Sequence, residues 1–340
     1  MRGVITLVLL GLGAFAVATG LVLKFYTYPL LTKVPHDIDT TSVSQGSGIT
    51  ALVYTPNGSS VTPEIRHNLS LTAITHIEGQ LNQPEIKKDG DVTVWAQSTI
   101  VKEDRSDLTL SAELRRVCFD RHTGQAVTPC TGQYYETERG KRTTARRDEL
   151  LQPGLSFQFP FDTGQQAYPW YDTMLKKALD VQFDGKETLK GLNVYRFTQT
   201  IAPTKIGEFS VPGSFVGRDS EPSVWAAQYY EVNRTLWVEP VTGSILSARE
   251  DVRQELRTAE QSEGQGTAVF DGVLELNDAS VSANAAEVKK NLPMLFTVTT
   301  LPIILWISGG VLLVAGALLL VFGRVRFPWM SRFDGTRSRT

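Results

Sequence analysis

Cysteine and histidine are scarce in this 340-residue chain, which has two of the first and four of the second. His36, His67, His76 and His122 are scattered through segments of differing expected structure, and two cysteines without a nearby histidine pair do not complete a four-ligand zinc site. No metal and no cofactor are expected. Catalytic motifs are missing as well. There is no Gly-x-Ser-x-Gly and no His-Glu-x-x-His, and Gly140-Lys-Arg-Thr143 lacks the upstream glycine of a phosphate loop. Asp162, Asp172, Asp180 and Asp184, or Glu239 beside Trp237, could supply a glycosidase-type carboxylate pair, but acids at turn positions occur in any β-domain. A non-enzymatic protein is the expectation.

Positive charge is short in the middle of the chain and concentrated at its ends. The whole chain carries a formal −2; Arg2 adds one positive charge in front, and five arginines less Asp334 add four behind, which leaves −7 for residues 24–300. An acidic surface of that kind is a poor partner for nucleic acid.

What is abundant is hydrocarbon in two uninterrupted runs. Residues 301–323 contain no ionisable side chain and, as a helix, just cross a hydrocarbon core of about 30 Å. Arg324, Arg326, Arg332, Arg337 and Arg339 follow, with Phe327 and Trp329 placed as interfacial aromatics. Residues 4–23 form the second run, preceded by Arg2 and followed by Lys24 and the cluster Phe25, Tyr26 and Tyr28. Ala16-Val-Ala18 imitates a signal-cleavage site, but the run continues through Leu23 and is read as a retained anchor. The expected organisation is a cytoplasmic start (1–3), a first membrane helix (4–23), an extracytoplasmic β-rich domain (24–300), a second membrane helix (301–323) and a cytoplasmic Arg-rich tail (324–340). In fold class this is α+β: a β-rich antiparallel ectodomain flanked by two terminal transmembrane helices, in a two-pass cell-membrane protein. The ectodomain is expected as one or two subdomains.

Within the middle region, residues 29–63 are rich in Pro, Thr, Ser and Gly and predict an extended approach segment. Val92, Val94, Ala96, Ser98 and Ile100 alternate in one strand, and Leu108, Leu110, Ala112 and Leu114 in the next, across the charged turn 102–107. Further alternation predicts strands over 192–201, 226–238, 245–256 and 266–276, with short helical pieces near 171–179 and 282–292. Asp120-Arg-His-Thr-Gly124 and Glu239-Pro-Val-Thr-Gly243 repeat one hairpin pattern, in which an acid accepts backbone N–H groups and a glycine takes positive φ. Either an internal duplication or a shared turn chemistry explains the repeat. Cys118 and Cys130, twelve positions apart across such a turn and outside the cytoplasm, are expected to form a disulfide.

Two clusters are candidate binding residues. Phe157, Phe159, Phe161, Tyr168, Trp170 and Tyr171 crowd into fifteen residues, and so much apolar surface in a turn-rich stretch either caps a core or lines a lipid cavity. Arg139, Lys141, Arg142, Arg146 and Arg147 form a basic cluster that reads as an anion or headgroup site, or as a solvated loop.

The segment Lys33-Val-Pro-His-Asp-Ile-Asp39, the hairpin 118–127, the block Gly154-Leu-Ser-Phe-Gln-Phe-Pro-Phe161, Gly191-Leu-Asn-Val-Tyr-Arg-Phe197 and Trp237-Val-Glu-Pro-Val-Thr-Gly243 together resemble the actinobacterial PorA family of envelope proteins. The resemblance spans nearly the whole chain and brings no catalytic residues with it. The layout of two terminal anchors around one exported domain also resembles the class B scavenger receptors, which pass lipids through an ectodomain tunnel. That second likeness implies a membrane-anchored carrier binding lipid or glycolipid, with membrane lipids or lipoglycans as ligands and envelope transport proteins or further copies of the chain as partners. A porin or channel in which the two helices oligomerise through Ser308, Gly309, Gly310 and Gly316 is the alternative; polar positions on the helix faces are few, which counts against it. A structural envelope protein without a small ligand is the third reading.

Overall fold

In the computed structural model, residues 2–58, 60–138, 141–144 and 150–324 are described. The chain divides into a helical unit, Met1–Leu31 with Pro293–Thr340, and a β-unit, Thr32–Leu292.

In the helical unit, α1 (Arg2–Val22) continues through a π-helical turn (Leu23–Thr27) into α2 (Tyr28–Leu31), so the first apolar helix runs past the expected end at residue 23. Near the other end of the chain, α4 (Asp278–Thr299) carries Pro293 inside it and is followed by α5 (Leu301–Arg324). Both apolar stretches are long enough to cross a membrane. Glycine lets α1 and α5 approach closely. A Cβ on Gly13 would meet the Gly309 carbonyl at 2.9 Å, one on Gly20 would meet the Trp306 ring at 2.5 Å, and one on Gly316 would meet Leu10 at 2.8 Å. Val4, Leu7, Phe15, Val311, Val314 and Phe322 remain exposed, as expected of side chains whose solvent is lipid. Two terminal apolar helices of this kind fit a membrane protein. Arg326, Arg332, Asp334, Arg337, Arg339, Phe327 and Trp329 lie outside the described residues.

The β-unit holds twelve strands among the described residues: β1 (Asp39–Asn57), β2 (Ser60–Gly79), β3 (Val92–Glu103), β4 (Thr109–Asp120), β5 (Tyr134–Glu138), β6 (Lys141–Thr144), β7 (Tyr168–Asp172), β8 (Lys177–Leu189), β9 (Leu192–Val211), β10 (Val224–Val238), β11 (Ile245–Arg257) and β12 (Thr267–Leu276). A short helix, α3 (Pro84–Lys88), precedes β3. The strands order as β6-β5-β4-β3-β2-β1-β12-β11-β10-β9-β8-β7, paired antiparallel. The fold is thus α+β and β-rich, as expected, and each strand expected from alternation is present; α4 contains the expected helix at 282–292.

Two local expectations are corrected. Of the expected approach segment 29–63, residues 39–57 form β1 and 60–63 open β2, and the two strands make the longest hairpin of the sheet. One of its glycines follows from packing: a Cβ on Gly46 would lie 2.0 Å from the Val273 carbonyl of the neighbouring strand. Ile49, Ala51 and Val53 supply a buried stripe. Residues 171–179 are likewise strand, turn and strand, because the Asp172 carboxylate accepts the amides of Met174 (3.0 Å) and Leu175 (2.8 Å) and turns the chain back.

The sheet curls on itself, since Lys176, in the β7–β8 turn at one edge, places its Nζ 4.6 Å from the ring centre of Tyr135 on β5 near the other. Residues 154–163 run through the interior as a strap between the two repeated turns. Phe161 N donates to His122 O (3.1 Å), and Phe159 N donates to Gly243 O (2.9 Å). In the turns themselves Asp120 accepts the amides of His122 and Thr123, and Glu239 those of Val241 and Thr242. Beyond the turns the likeness ends: β11 returns along β10 from Val238 to Ala227, whereas after Gly124 the chain pairs back with the preceding strand only over Gln125 to Val127.

Strap side chains alternate like a strand. Phe157 and Phe161 pack on Trp95 and Phe119, while Leu155 and Phe159 pack on Tyr168, Phe197, Leu236 and Val238. Cys118 and Cys130 form the expected disulfide, with Cα atoms 5.9 Å apart, buried against Val94. The outer face of the sheet carries ion pairs, Arg196 with Asp184 and Glu187, Arg249 with Glu275, and Arg253 with Asp271 and Glu231. A barrel sitting in lipid would need an apolar band there.

Candidate functional site

Alternation places polar side chains on the inner face of the curled sheet, next to the aromatic strap. On β3 and β4, Gln97 stands opposite Arg115 and Thr99 opposite Glu113. On the far wall Arg234 of β10 stands between Gln199 of β9 and Glu250 of β11, above Asp172 at the end of β7. These residues form a layer of charges and amides between two apolar clusters, one around Phe159 and Phe197 and one around Ile49 and Leu71.

Each guanidinium is held by a defined set of acceptors. Arg115, buried, donates from Nε (3.0 Å) and Nη2 (2.7 Å) to the Gln97 carbonyl oxygen and from Nη1 to Ser156 Oγ (3.3 Å), and it lies 4.8 Å over the Phe157 ring. Arg234, also buried, donates to Asp172 Oδ2 at 3.0 Å and to Glu250 and Gln199. Tyr230 donates to the same Asp172 oxygen at 3.0 Å. Asp172 is therefore a fully engaged buried carboxylate, as the desolvation cost of a buried charge requires.

The electrostatics follow from burial. Burial works against the charge of Arg234, but Glu250, Tyr230 and Asp172 more than offset it and hold the group protonated. Burial pushes the Tyr171 hydroxyl up to about 12 and raises that of Tyr230 further. Glu113 is half-buried, and burial lifts its carboxyl above the ordinary glutamate range even though Arg115 opposes the shift. Burial lowers Arg115 in turn, with Glu113 opposing. Among these groups Glu113 is the carboxyl moved toward neutrality.

The aromatic candidates divide between the two sides of the strap. Phe159 lies 4.7 Å from Phe197, 5.3 Å from Tyr168 and 5.8 Å from Trp170 between ring centres, and Phe159, Tyr168 and Tyr171 are buried. Phe157 and Phe161 belong to the cluster of Trp95 across the strap. Of the basic cluster, Lys141 and Arg142 sit on β6, where Arg142 pairs with Glu136 at 3.1 Å and covers the Tyr134 ring at 3.9 Å; Arg139, Arg146 and Arg147 lie outside the described residues. The carboxylates weighed for glycoside chemistry have other tasks: Glu239 caps its turn, Asp172 holds Arg234, and Asp184 pairs with Arg196 on the outer face.

Sequence reasoning passed over Gln97, Glu113, Arg115, Gln199, Tyr230, Arg234 and Glu250. A signal was present in β4, where Arg115 shares its register with Val117 and Phe119, both of which are buried.

A family profile described as Porin PorA matches residues 5–318. A protein named Porin PorA from Corynebacterium resistens (strain DSM 45100 / JCM 12819 / GTC 2026 / SICGH 158) is 25% identical over 411 aligned positions, covering 96% of this chain and 96% of its own length. A second Porin PorA, from Corynebacterium amycolatum, is 26% identical over 199 positions, 49% of this chain and 51% of that protein. These findings overturn the lipid or glycolipid carrier expected from the two-anchor layout, and they favour the channel alternative.

Proposed function

The chain belongs to the PorA porin family, and from that premise we propose that it is a channel-forming component of a cell-envelope membrane whose β-unit presents a polar interior to the passing solute. The observation that supports this reading is the inner layer of Gln97, Glu113, Arg115, Asp172, Gln199, Arg234 and Glu250. Burying two guanidinium groups and their carboxylates costs more than filling the same space with aliphatic side chains, so a domain that only had to fold would not need them.

The helices of associated copies carry the path across the membrane in this reading, and the β-unit is its polar approach. Ser308 spends its hydroxyl on the Ile304 carbonyl at 2.7 Å, and the large outward side chains are hydrocarbon. The glycines of α5 expected to join separate copies, Gly309 and Gly316, are instead used against α1 of the same chain. Copies pack through what remains, Gly310 of α5, which has open space beside it, and the exposed small residues Gly11, Ala14 and Ala18 of α1. The charged outer strands keep the β-unit in water, and both termini lie in the cytoplasm, where Arg2 and the arginines after residue 323 favour them. The protein acts without catalysis, with membrane lipids and further copies of itself as partners.

Planar-bilayer recording of the purified full chain tests the reading. Stepwise conductance is expected, with ion selectivity that changes in Glu113→Gln and in Arg115→Gln. A protein that inserts but never conducts defeats the proposal, and conductance indifferent to both variants removes the polar layer from the path. Reporter fusions at residue 340 and near residue 60 check the orientation and should read inside and outside respectively.

A further inference from the structure

On the outer face of the β9-β10-β11 region, away from the polar layer, a shallow groove of about 220 Å³ is lined by Lys205, Glu208, Trp225, Tyr229, Arg257 and Gln261, with Ala227 as its floor. Register explains the arrangement. Trp225, Ala227 and Tyr229 alternate onto one face of β10, with Glu208 opposite Ala227 on one side and Arg257 opposite it on the other. Trp225 is 67% exposed, an unusual position for the largest apolar side chain. Its neighbours are not apolar: Lys205 Nζ donates to Glu208 at 2.7 Å, Arg257 donates to the buried Glu255, and the Arg257 guanidinium lies 4.1 Å from the centre of the Tyr229 ring.

We propose that this groove binds a neutral oligosaccharide, stacked on the Trp225 indole and hydrogen-bonded along its hydroxyls by Lys205 and Glu208. Three features select that chemistry. An open indole face attracts the polarised C–H groups of a sugar ring, since the aromatic face carries the negative end of its quadrupole. The charges beside it are already paired with one another, so the groove offers many donors and acceptors with little net field, which suits a polyol better than a phosphate or a cation. Its length also fits: the four steps of strand from Trp225 to Tyr229 span about 13 Å, room for a short chain of rings. A proline-rich peptide would need aromatic walls with a slot between them. Here Ala227 and charged side chains occupy that space, and Arg257 covers Tyr229.

Calorimetric titration of the full chain, held in an amine-oxide detergent without a sugar headgroup, tests the site with maltohexaose, a neutral arabinan hexamer, decaproline and inorganic phosphate as probes. Saturable binding of at least one saccharide is expected, with Kd at least tenfold weaker in Trp225→Ala and partly restored in Trp225→Phe. Trp225 is exposed enough that these variants keep the fold, and an unchanged melting curve verifies it. Neither saccharide binding, a saccharide affinity indifferent to Trp225→Ala, or decaproline binding at Trp225 in their place would each overturn the assignment. Because the groove lies apart from Glu113, saccharide binding should persist in Glu113→Gln whatever that variant does to conductance.

Discussion

The amide of Phe159 donates to the carbonyl of Gly243 at 2.9 Å, and a Cβ on Gly243 would lie only 2.1 Å from the carbonyl oxygen of Phe159. Gly243 has φ of 72°, so both its conformation and its neighbour demand glycine. Gly124 has the same relation to the strap from the other side, with a notional Cβ 2.4 Å from the Gln158 carbonyl. The aromatic strap is thus pinned by two turns whose backbones cannot retreat from it.

Gly243→Ala should cost about 1–3 kcal/mol for the backbone conformation alone, and more once the strap is displaced. Urea unfolding of the full chain in detergent, followed by near-ultraviolet circular dichroism, should show a lower midpoint. Gly264→Ala is the control, since φ of 75° is its only constraint and nothing lies within 4 Å of its notional Cβ; it should cost less than Gly243→Ala.

Arg234→Met would leave Asp172 as an uncompensated buried carboxylate. A loss of about 3–5 kcal/mol is expected. Adding Asp172→Asn should recover part of it, because the stranded charge goes while the amide still caps the turn. Thermal melts of the two variants and the parent check the order: parent above double, double above single.

The raised carboxyl of Glu113 makes a signed prediction. In the pH window between its ordinary value and its higher folded value, the folded protein binds the extra proton, so Glu113's contribution to stability falls as pH rises through that window. Glu113→Gln should therefore be the more stable form at neutral pH and flatten the dependence of melting temperature on pH between mildly acidic and neutral conditions. In bilayers, lowering the pH across the same window should shift the parent toward anion selectivity by removing the negative charge beside Arg115, and should leave the variant unchanged.

Cys118 and Cys130 close a loop of twelve positions, worth about 3 kcal/mol in the chain-entropy account. The paired Cys118→Ser and Cys130→Ser variant, or the parent under reductant, should unfold at correspondingly lower denaturant. Alkylation of unreduced protein should label neither thiol.

Features announced by a strong local signal could be read without coordinates. The apolar runs, the alternation of β3 and β9 to β12, and the acid-to-glycine turns at Asp120 and Glu239 all belong to this group. The first strand of the β1–β2 hairpin was hidden because its composition of Thr, Ser and Gly is that of a linker; the close passage of β12 over Gly46, which no local pattern shows, is what requires glycine at that position. The polar layer was hidden for a different reason. Alternation in β4 makes Leu114 look like the inward residue, yet Leu114 is 39% exposed and Arg115 is 6% exposed, since the acceptors that admit an arginine come from Gln97 and from Ser156, far off in sequence. The crowding of Phe157, Phe159 and Phe161 was conspicuous, but their sorting to two sides of the strap depends on partners that no local pattern names.

The order of strands bears on how the chain is made. Each neighbour in the sheet is also a neighbour in sequence except β1 and β12, whose pairing joins Ser44 to Leu276. The strands from β1 to β6 can form hairpin by hairpin as they arrive, and those from β7 to β12 can do likewise, each step closing a short loop at small entropic cost. Until the last strand is delivered, however, β1 keeps one edge of bare N–H and C=O groups open to any passing strand. The newborn domain therefore holds its own aggregation site for as long as synthesis takes to reach Thr267, and a chain that stalls just short of that residue would be left permanently adhesive.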